Sequence, residues 1–586
     1  MYDLVIRGGT IVDGTGRERF AGDVAVKDGR IVAIGKVDGA AKRTIDAHGA
    51  IVTPGFTDIH THYDGQISWD EELAPSSIHG VTTAVLGSCG VGFAPVRPSD
   101  HTTLIELMEG VEDIPGSALA EGITWGWESF GEYMSTLDRM PHAIDFLCQV
   151  PHDALRVYVM GERAVADEVA TEADVAAMRA LLRGALQEGA VGFSTGRSDN
   201  HRSVHGAATP ASESTLQELV GLGRAFEGLS HGVIQAVSDF DMNQFPKGER
   251  GRFDEEFDLL IQMARAAQRP MSISTMQRDH SPNQWRWILE GAQKACDEGL
   301  TVRCQVGARA IGVMLGLQAT FQPFMGFPSY KAIAHLPLAE RVAKMRDPEL
   351  KKRILSEKSD PVSGDGTPIP PLADHFLQNL NLVAMRLFRL GEGPRYEPSV
   401  KECFAAEAMR RGEPVLSVIY DALLEQDGEA LLYFPLYNYT GMNLDVVHEM
   451  LAHPLALPGL SDGGAHVGTV CDASFPTFLM THWARDREKR FALEKMVKMQ
   501  AHDTSRFVGL TDRGTIEVGM KADLNVIDFD HLRLLHPKMQ RDLPAGGQRL
   551  MQRAEGYVAT IASGVVIAEG GRLTGARPGR LVRAGH

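Results

Sequence analysis

Two histidines one residue apart close the segment Pro54-Gly55-Phe56-Thr57-Asp58-Ile59-His60-Thr61-His62. Residues i and i+2 of an extended strand point to the same face. At a strand tip, two such imidazoles can grip one metal ion from one side, and neutral imidazole suits zinc, iron or nickel. His-x-His by itself recurs by chance, but His60 and His62 follow an apolar strand that carries Pro-Gly. Far downstream, Ser461-Asp462-Gly463-Gly464 ends another apolar run. Taken alone, Asp-Gly-Gly is good turn chemistry. Beside a histidine pair, Asp462 becomes a carboxylate able to bind the ion, take a proton from attacking water and pass it to a leaving group. Cys89, in Ser88-Cys89-Gly90, reads either as an inert buried cysteine or as a thiolate soft enough to ligate zinc.

The elements that must position these residues alternate strand and helix, the pattern of a parallel α/β fold. Apolar runs predict eight strands: Ile51 to Ile59, Val81 to Leu86, Ala143 to Val150, Ala190 to Ser194, Gly232 to Val237, Met271 to Thr275, Thr301 to Val306, and Leu457 to Asp462. Helical periods over Asp174–Glu188, Ser214–Glu227 and Asp254–Ala267 separate several of them. His60, Cys89 and Asp462 then fall at or just beyond strand ends, where parallel barrels keep their chemistry.

Both ends of the chain have another texture. Short β-rich runs with glycine turns fill residues 1–53, and the texture returns in Ala522-Asp523-Leu524-Asn525-Val526-Ile527 and from Val558 to Ile567. The expected architecture is an α/β (β/α)₈ barrel of the TIM type over residues 54–510, with a composite β-sandwich from residues 1–53 and 511–586. The interval of about 320–455 is too long for a simple connection and reads as a helical insertion over the site, with a loop through residues 361–366 and 368–371.

The net charge of −17, with 44% apolar and 23% charged residues, describes a soluble globular chain. It lacks the basic balance expected of a nucleic-acid or anionic-membrane binder. Six scattered cysteines argue against a disulfide framework. No leader or spanning stretch of ~18–20 apolar residues stands out, so a cytoplasmic setting is expected. The partner is then a small-molecule substrate, and the oligomeric state, homo-oligomers included, stays open.

The chain resembles the amidohydrolase superfamily, and within it the N-acyl-D-amino-acid deacylase branch. The resemblance rests on Val5-Ile6-Arg7-Gly8-Gly9-Thr10-Ile11-Val12-Asp13-Gly14, the His60/His62 pair, Gly80-Val81-Thr82-Thr83, Ser88-Cys89-Gly90, Gly192-Phe193-Ser194-Thr195-Gly196 and Ser461-Asp462-Gly463. The tail adds Asp512-Arg513-Gly514-Thr515-Ile516 with Gly519, Lys521, Ala522 and Asp523. It implies zinc-dependent hydrolysis of a linear amide by metal-activated water, with Asp462 moving the proton and Cys89 as a metal ligand in place of a carboxylated lysine. It also implies a histidine after strand three, matched by His152, which either donates to the tetrahedral oxyanion or orients its loop.

The departure lies at strands five and six, where the resemblance implies histidine ligands. Those ends read Gln235-Ala236-Val237 and Thr275-Met276-Gln277. One tightly held zinc ion is therefore expected, since a second lacks its usual donors. Gln235 and Gln277 could offer amides to substrate, while His201, His205 and His280 are loop histidines within chain reach. Arg197, Arg202, Arg278 and Lys331 are candidates to pair with a substrate carboxylate, each with the alternative of a solvated surface cation. Tyr437, Asn438, Tyr439 and Trp483 line a pocket or belong to the core. Two other functions fit the same residues: hydrolysis of a cyclic amide, lactone or heterocycle, and a degenerate barrel that binds without catalysis.

Overall fold

The computed structural model describes residues 1–240, 250–364, 367 and 369–585; Asp365, Gly366 and Pro368 of the expected loop lie outside them. Eight parallel strands form one sheet: β1 (Phe56–Asp58), β2 (Val81–Leu86), β3 (Asp145–Pro151), β4 (Gly192–Arg197), β5 (Val233–Ser238), β6 (Met271–Thr275), β7 (Val302–Val306) and β8 (Ala456–Pro458). They pair in sequence order from β1 to β8. The two edges meet through a parallel bridge between Thr61 and Gly463, with the His62 amide donating to the Gly463 carbonyl at 2.8 Å. The result is a (β/α)₈-type barrel. Its strands are almost wholly buried, as parallel strands covered on both faces must be.

The first and last strands are shorter than their apolar runs predict. Ile51–Pro54 joins a different sheet, and β1 begins only after Gly55. Pro54 has no amide to donate, while Gly55 N donates to the Asp523 carbonyl at 2.8 Å, turning the chain from one sheet into the other. A Cβ on Gly55 would lie 2.2 Å from Thr82 Oγ1, so only glycine permits this close crossing over β2. At the other edge, Leu460 and Asp462 adopt left-handed φ values of 58° and 50°, which ends β8 at Pro458 and leaves Asp462 on the loop beyond it.

Both ends of the chain contribute to one nine-stranded sheet. Strands Tyr2–Ile11, Phe20–Lys27, Arg30–Gly35, Ala41–Asp46 and Ile51–Pro54 are joined to Leu524–Ile527, Tyr557–Ala562, Val565–Glu569 and Arg572–Leu573. The seam is the antiparallel pairing of Ile51–Pro54 with Leu524–Ile527. Leu4, Ile6, Val24, Val52, Val526 and Ile561 pack beneath it as a core of their own. Between β7 and β8 the chain makes a run of short helices and a three-stranded sheet of Gly312–Leu315, Leu432–Pro435 and Phe388–Arg389. This segment also has its own apolar core, built around Leu315, Phe324, Val418 and Leu423. Among the described residues no helix is long and apolar enough to cross a membrane, and all six cysteines are free.

The turn carrying Cys89 docks against the end of β4, where a Cβ on Gly196 would come within 2.3 Å of the Cys89 carbonyl oxygen. Backbone cannot yield as a flexible side chain can. Gly196→Ala is therefore expected to cost ~1–3 kcal/mol of stability, the usual scale of overpacking, and to displace Cys89. Urea unfolding at matched zinc content tests this; a variant as stable as the parent would show that the two backbones are not in contact.

Candidate active site

His60 and His62 leave the end of β1, Cys89 follows β2, and Asp462 follows β8; barrel closure brings all four together. Cys89 Sγ lies 3.2 Å from His60 Nε2, and Asp462 Oδ1 lies 3.3 Å from His60 Nε2 and 3.8 Å from His62 Nε2. One donor atom from each of His60, His62 and Cys89 falls within 4.8 Å of the others, and all three residues are buried. A tetrahedral ion with zinc-type bond lengths holds its ligand atoms about 3.3–3.8 Å apart. The Cys89–His60 and Asp462–His60 separations are of that size, and two imidazoles with a thiol are donors that zinc takes.

The groups behind these donors fix their orientation. His60 Nδ1 donates to Gln305 Oε1 at 2.6 Å, and Gln305 in turn donates to Ser272 Oγ at 2.9 Å, which leaves His60 Nε2 free to coordinate. Glu112, the last residue of α1 (His101–Glu112), places Oε1 3.2 Å from His62 Nδ1 and Oε2 3.5 Å from His466 Nε2. The Ser461 hydroxyl sits between the Asp58 carboxylate at 2.6 Å and the His60 carbonyl at 2.8 Å, tying the approach to Asp462 onto β1. Gln235 Oε1 accepts the Cys89 amide at 2.7 Å.

Burial dominates the electrostatics. It pushes the Cys89 thiol well above its ordinary range, with Glu112 and Asp462 adding to the effect. Glu112 is raised in the same way, by burial first and then by Asp462 and Asp64. His62 is driven well down by burial, then by His60, His466 and His201. Burial raises Asp58 to about 6 and Asp64 to about 7. Acids raised and a base lowered are what a buried pocket imposes without a counter-charge. A cation among these donors reverses that preference.

A cavity of about 360 Å³ opens beside the donors, with Asp462, His466, His201, Arg278 and Tyr437 in its wall. His201 Nδ1 is buried without a hydrogen-bond partner, and burial, then His466 and His60, lowers the ring to about 4, so it is neutral at pH 7. Arg278 donates through Nη1 to Gln284 and through Nη2 to the Ser238 carbonyl, leaving Nε unpartnered.

Several residues singled out in the sequence stand elsewhere. Both ring nitrogens of His152 are committed, Nδ1 to Thr195 and Nε2 to Glu218, each at 2.9 Å, and Arg156 completes that buried network. His152 is therefore a structural histidine and not an oxyanion donor. Arg197 pairs with both oxygens of Glu256 and donates to Ser214, so its buried guanidinium is not offered to a substrate carboxylate. The Gln235 carbonyl oxygen holds the Cys89 loop, while its Nε2 is buried without a hydrogen-bond partner. Gln277 bonds to Pro282 and Thr440. His205 is 65% exposed beside Glu106, and Lys331 pairs with Asp360 at the surface. Trp483 and Tyr439 are core, with Trp483 donating to the Ala308 carbonyl.

Sequence reasoning missed Glu112, Gln305 and His466. His466 carried a usable signal, four residues after Asp462 in a glycine-rich turn. Glu112 ends an ordinary amphipathic helix and offered none.

The amidohydrolase family model matches residues 43–367 and 422–568, well over half of the chain. The D-aminoacylase of Alcaligenes xylosoxydans xylosoxydans is 33% identical over 237 residues, 40% of this chain and 44% of that enzyme. The N-acyl-D-aspartate deacylase of the same organism is 38% identical over 236 residues, 40% of this chain and 43% of that enzyme. The chain thus matches less than half the length of either deacylase. An uncharacterized protein of Mycobacterium tuberculosis is 26% identical across 100% of this chain and 96% of its own. Among solved structures, an N-acyl-D-glutamate deacylase of Bordetella bronchiseptica, complexed with zinc and a phosphonate inhibitor, superposes with a TM-score of 0.64 at 22% identity over the whole of both chains. A D-aminoacylase structure gives 0.63 at the same identity and coverage. The family match over barrel and both flanks, on a fold shared with these deacylases, places the protein: the chain belongs to the amidohydrolase family.

Proposed function

We propose that the protein hydrolyses a linear amide, that of an N-acyl-D-amino acid or a related N-acyl compound, with one zinc ion held by His60, His62, Cys89 and Asp462. The observation that carries this reading is the convergence of donor atoms from His60, His62 and Cys89 within 4.8 Å of one another, with Asp462 3.3 and 3.8 Å from the two imidazoles. The similar deacylases, which act on N-acyl-D-amino acids by name, support the substrate class. A zinc ion in this donor set supplies Lewis acidity, polarising the scissile carbonyl and making water acidic near pH 7. Asp462, close to both imidazoles, takes the proton from water and delivers it to the departing amine nitrogen. Gln305 holds the His60 imidazole with Nε2 turned to the donors, and the Glu112 carboxylate stands 3.2 Å from His62 Nδ1. His201, neutral and without an internal partner, donates to the developing oxyanion in place of the histidines lacking at β5 and β6. Arg278, in the cavity wall, supplies the positive charge that the substrate carboxylate faces.

The stoichiometry follows from the donors. The ends of β5 and β6 offer an amide, a methyl group, a hydroxyl and a thioether, poor zinc ligands beside imidazole and thiolate. Protein purified without added metal is expected to carry close to one zinc equivalent, and activity on a panel of N-acyl-D- and N-acyl-L-amino acids, cyclic imides and lactones is expected to saturate there. Two tight equivalents, both required for turnover, would overturn the single-ion site. His60→Ala and His62→Ala are expected to remove zinc and hydrolysis with the fold intact. Asp462→Asn is expected to lower kcat by at least ~10²-fold; unchanged turnover in the folded variant would assign the proton transfer to another group.

Glu112 tests the support behind the ligands. Removing the carboxylate behind a ligating imidazole typically weakens metal affinity by about 10–100-fold. Glu112→Gln is expected to fall in that range in a chelator competition with zinc. Parent-like affinity would show that His62 is oriented without it.

A further inference from the structure

The wall of the cavity facing the metal donors is apolar and comes from one part of the chain. Every lining residue from Ile311 to Tyr437 is uncharged among the described residues, whereas the charged and imidazole groups, Glu109, Asp113, His201, Arg278, Asp462 and His466, come from segments that follow other barrel strands. Within the apolar wall, Phe321, Phe376 and Phe434 make a continuous edge-to-face row, with ring centroids 5.4 and 5.0 Å apart. All three rings are only partly buried. Leu372, on α2 (Pro371–Gln378), continues this wall and is 43% exposed. The row packs on the core of the inserted segment on one side and lines the cavity on the other, with Arg386 lying over the Phe434 ring.

We infer that the substrate carries a bulky apolar arm, seated on the Phe321–Phe376–Phe434 row while its amide lies at the metal donors. The polarity of the two walls sets the orientation: the amide and any carboxylate face Asp462, His201 and Arg278, and the apolar arm faces the segment inserted between β7 and β8. The size follows from the volume. A cavity of about 360 Å³ takes roughly a dozen non-hydrogen atoms at ~30 Å³ each, more than the whole of N-acetyl-D-alanine, so that room remains over the row for a longer apolar arm. Each methylene moved from water onto such a wall favours binding roughly fourfold, so discrimination by arm length is expected to be steep. The inference rests on the hydrolase reading only for the bond that is cut, because apolar binding is a property of the wall itself.

The experiment uses the full-length zinc-loaded protein and two ligand series. N-acetyl-, N-hexanoyl- and N-decanoyl-D-alanine vary the acyl arm, and N-acetyl-D-alanine against N-acetyl-D-phenylalanine varies the amine arm. kcat/KM is measured on the parent, and Kd by calorimetry on both the parent and Asp462→Asn, where turnover is slowed. At least one series is expected to improve tenfold or more from its smallest to its largest member, in both measures. Phe376→Ala and Phe434→Ala are each expected to reduce that ratio by at least fivefold; Phe376→Leu serves as the second variant where an alanine does not fold. If the bulky ligands bind tenfold tighter but nothing is hydrolysed, the hydrolase reading fails and the inference stands. If the acetyl compounds are bound and hydrolysed as well as the bulky ones in both series, or the phenylalanine variants leave the ratio unchanged, the inference is overturned and the hydrolase reading stands.

Discussion

The site exists because the barrel closes. Ser461 and His60 stand 401 residues apart in the chain, yet the Ser461 hydroxyl lies 2.8 Å from the His60 carbonyl. The bridge between Thr61 and Gly463 completes the seam. Everything chemical hangs on that seam, since His60 and His62 lie on one side of it and Asp462 on the other. The glycines around it are a steric requirement: a Cβ on Gly463 would come within 2.7 Å of Ser76 Oγ, and Gly464, at φ +93°, would meet Tyr63. Together they let the last loop lie against the first strand and bring a carboxylate within coordinating distance of two imidazoles.

The donors are held in conformations their own residues disfavour. Cys89, Asp462 and His466 all take left-handed φ, between 48° and 58°. Such positions at non-glycine residues cost of order 1 kcal/mol or more each and persist only where the surroundings over-determine them. Here the surroundings do so: Gln235 holds the Cys89 amide, and Glu112 faces His466 through its carboxylate while its carbonyl takes the His466 amide. Stability is given up locally so that thiol, imidazole and carboxylate converge before any ion arrives, which is the arrangement preorganised catalysis requires.

The same logic separates structural ions from chemical ones. A buried charge is tolerated only with its partners in place, so Arg197 with Glu256 and His152 with Glu218 and Arg156 are complete as they stand. Arg197 and the two ring nitrogens of His152 have no hydrogen-bonding capacity left for a ligand, although Arg156 keeps a buried Nε without a partner. Arg278 and His201, in the cavity wall, each keep a nitrogen without an internal partner. An unpartnered nitrogen together with a place in the cavity wall, and not residue type or position along the chain, distinguishes these two groups from those consumed by the fold.

The local pattern was sufficient for the elements and for the donors nearest to them. Apolar runs located all eight barrel strands, and β2 and β6 coincide with the expected Val81 to Leu86 and Met271 to Thr275, because a strand buried on both faces must be apolar throughout. The His60/His62 spacing, Cys89 after the second strand and Asp462 after the eighth were legible for the same reason, since strand ends are where a parallel barrel exposes side chains to its mouth. What the sequence could not settle were relations across the fold. That Ile51–Pro54 leaves the barrel depends on its pairing with Leu524–Ile527 from the opposite end of the chain. That Glu112 and Gln305 stand behind the two imidazoles depends on a helix and a strand distant in sequence. That His152 and Arg197 are consumed internally depends on Glu218 and Glu256 lying within hydrogen-bond reach. Residue type and period report what a side chain can do and which face it occupies; which partner satisfies it is a matter of three-dimensional distance, and only the folded chain decides that.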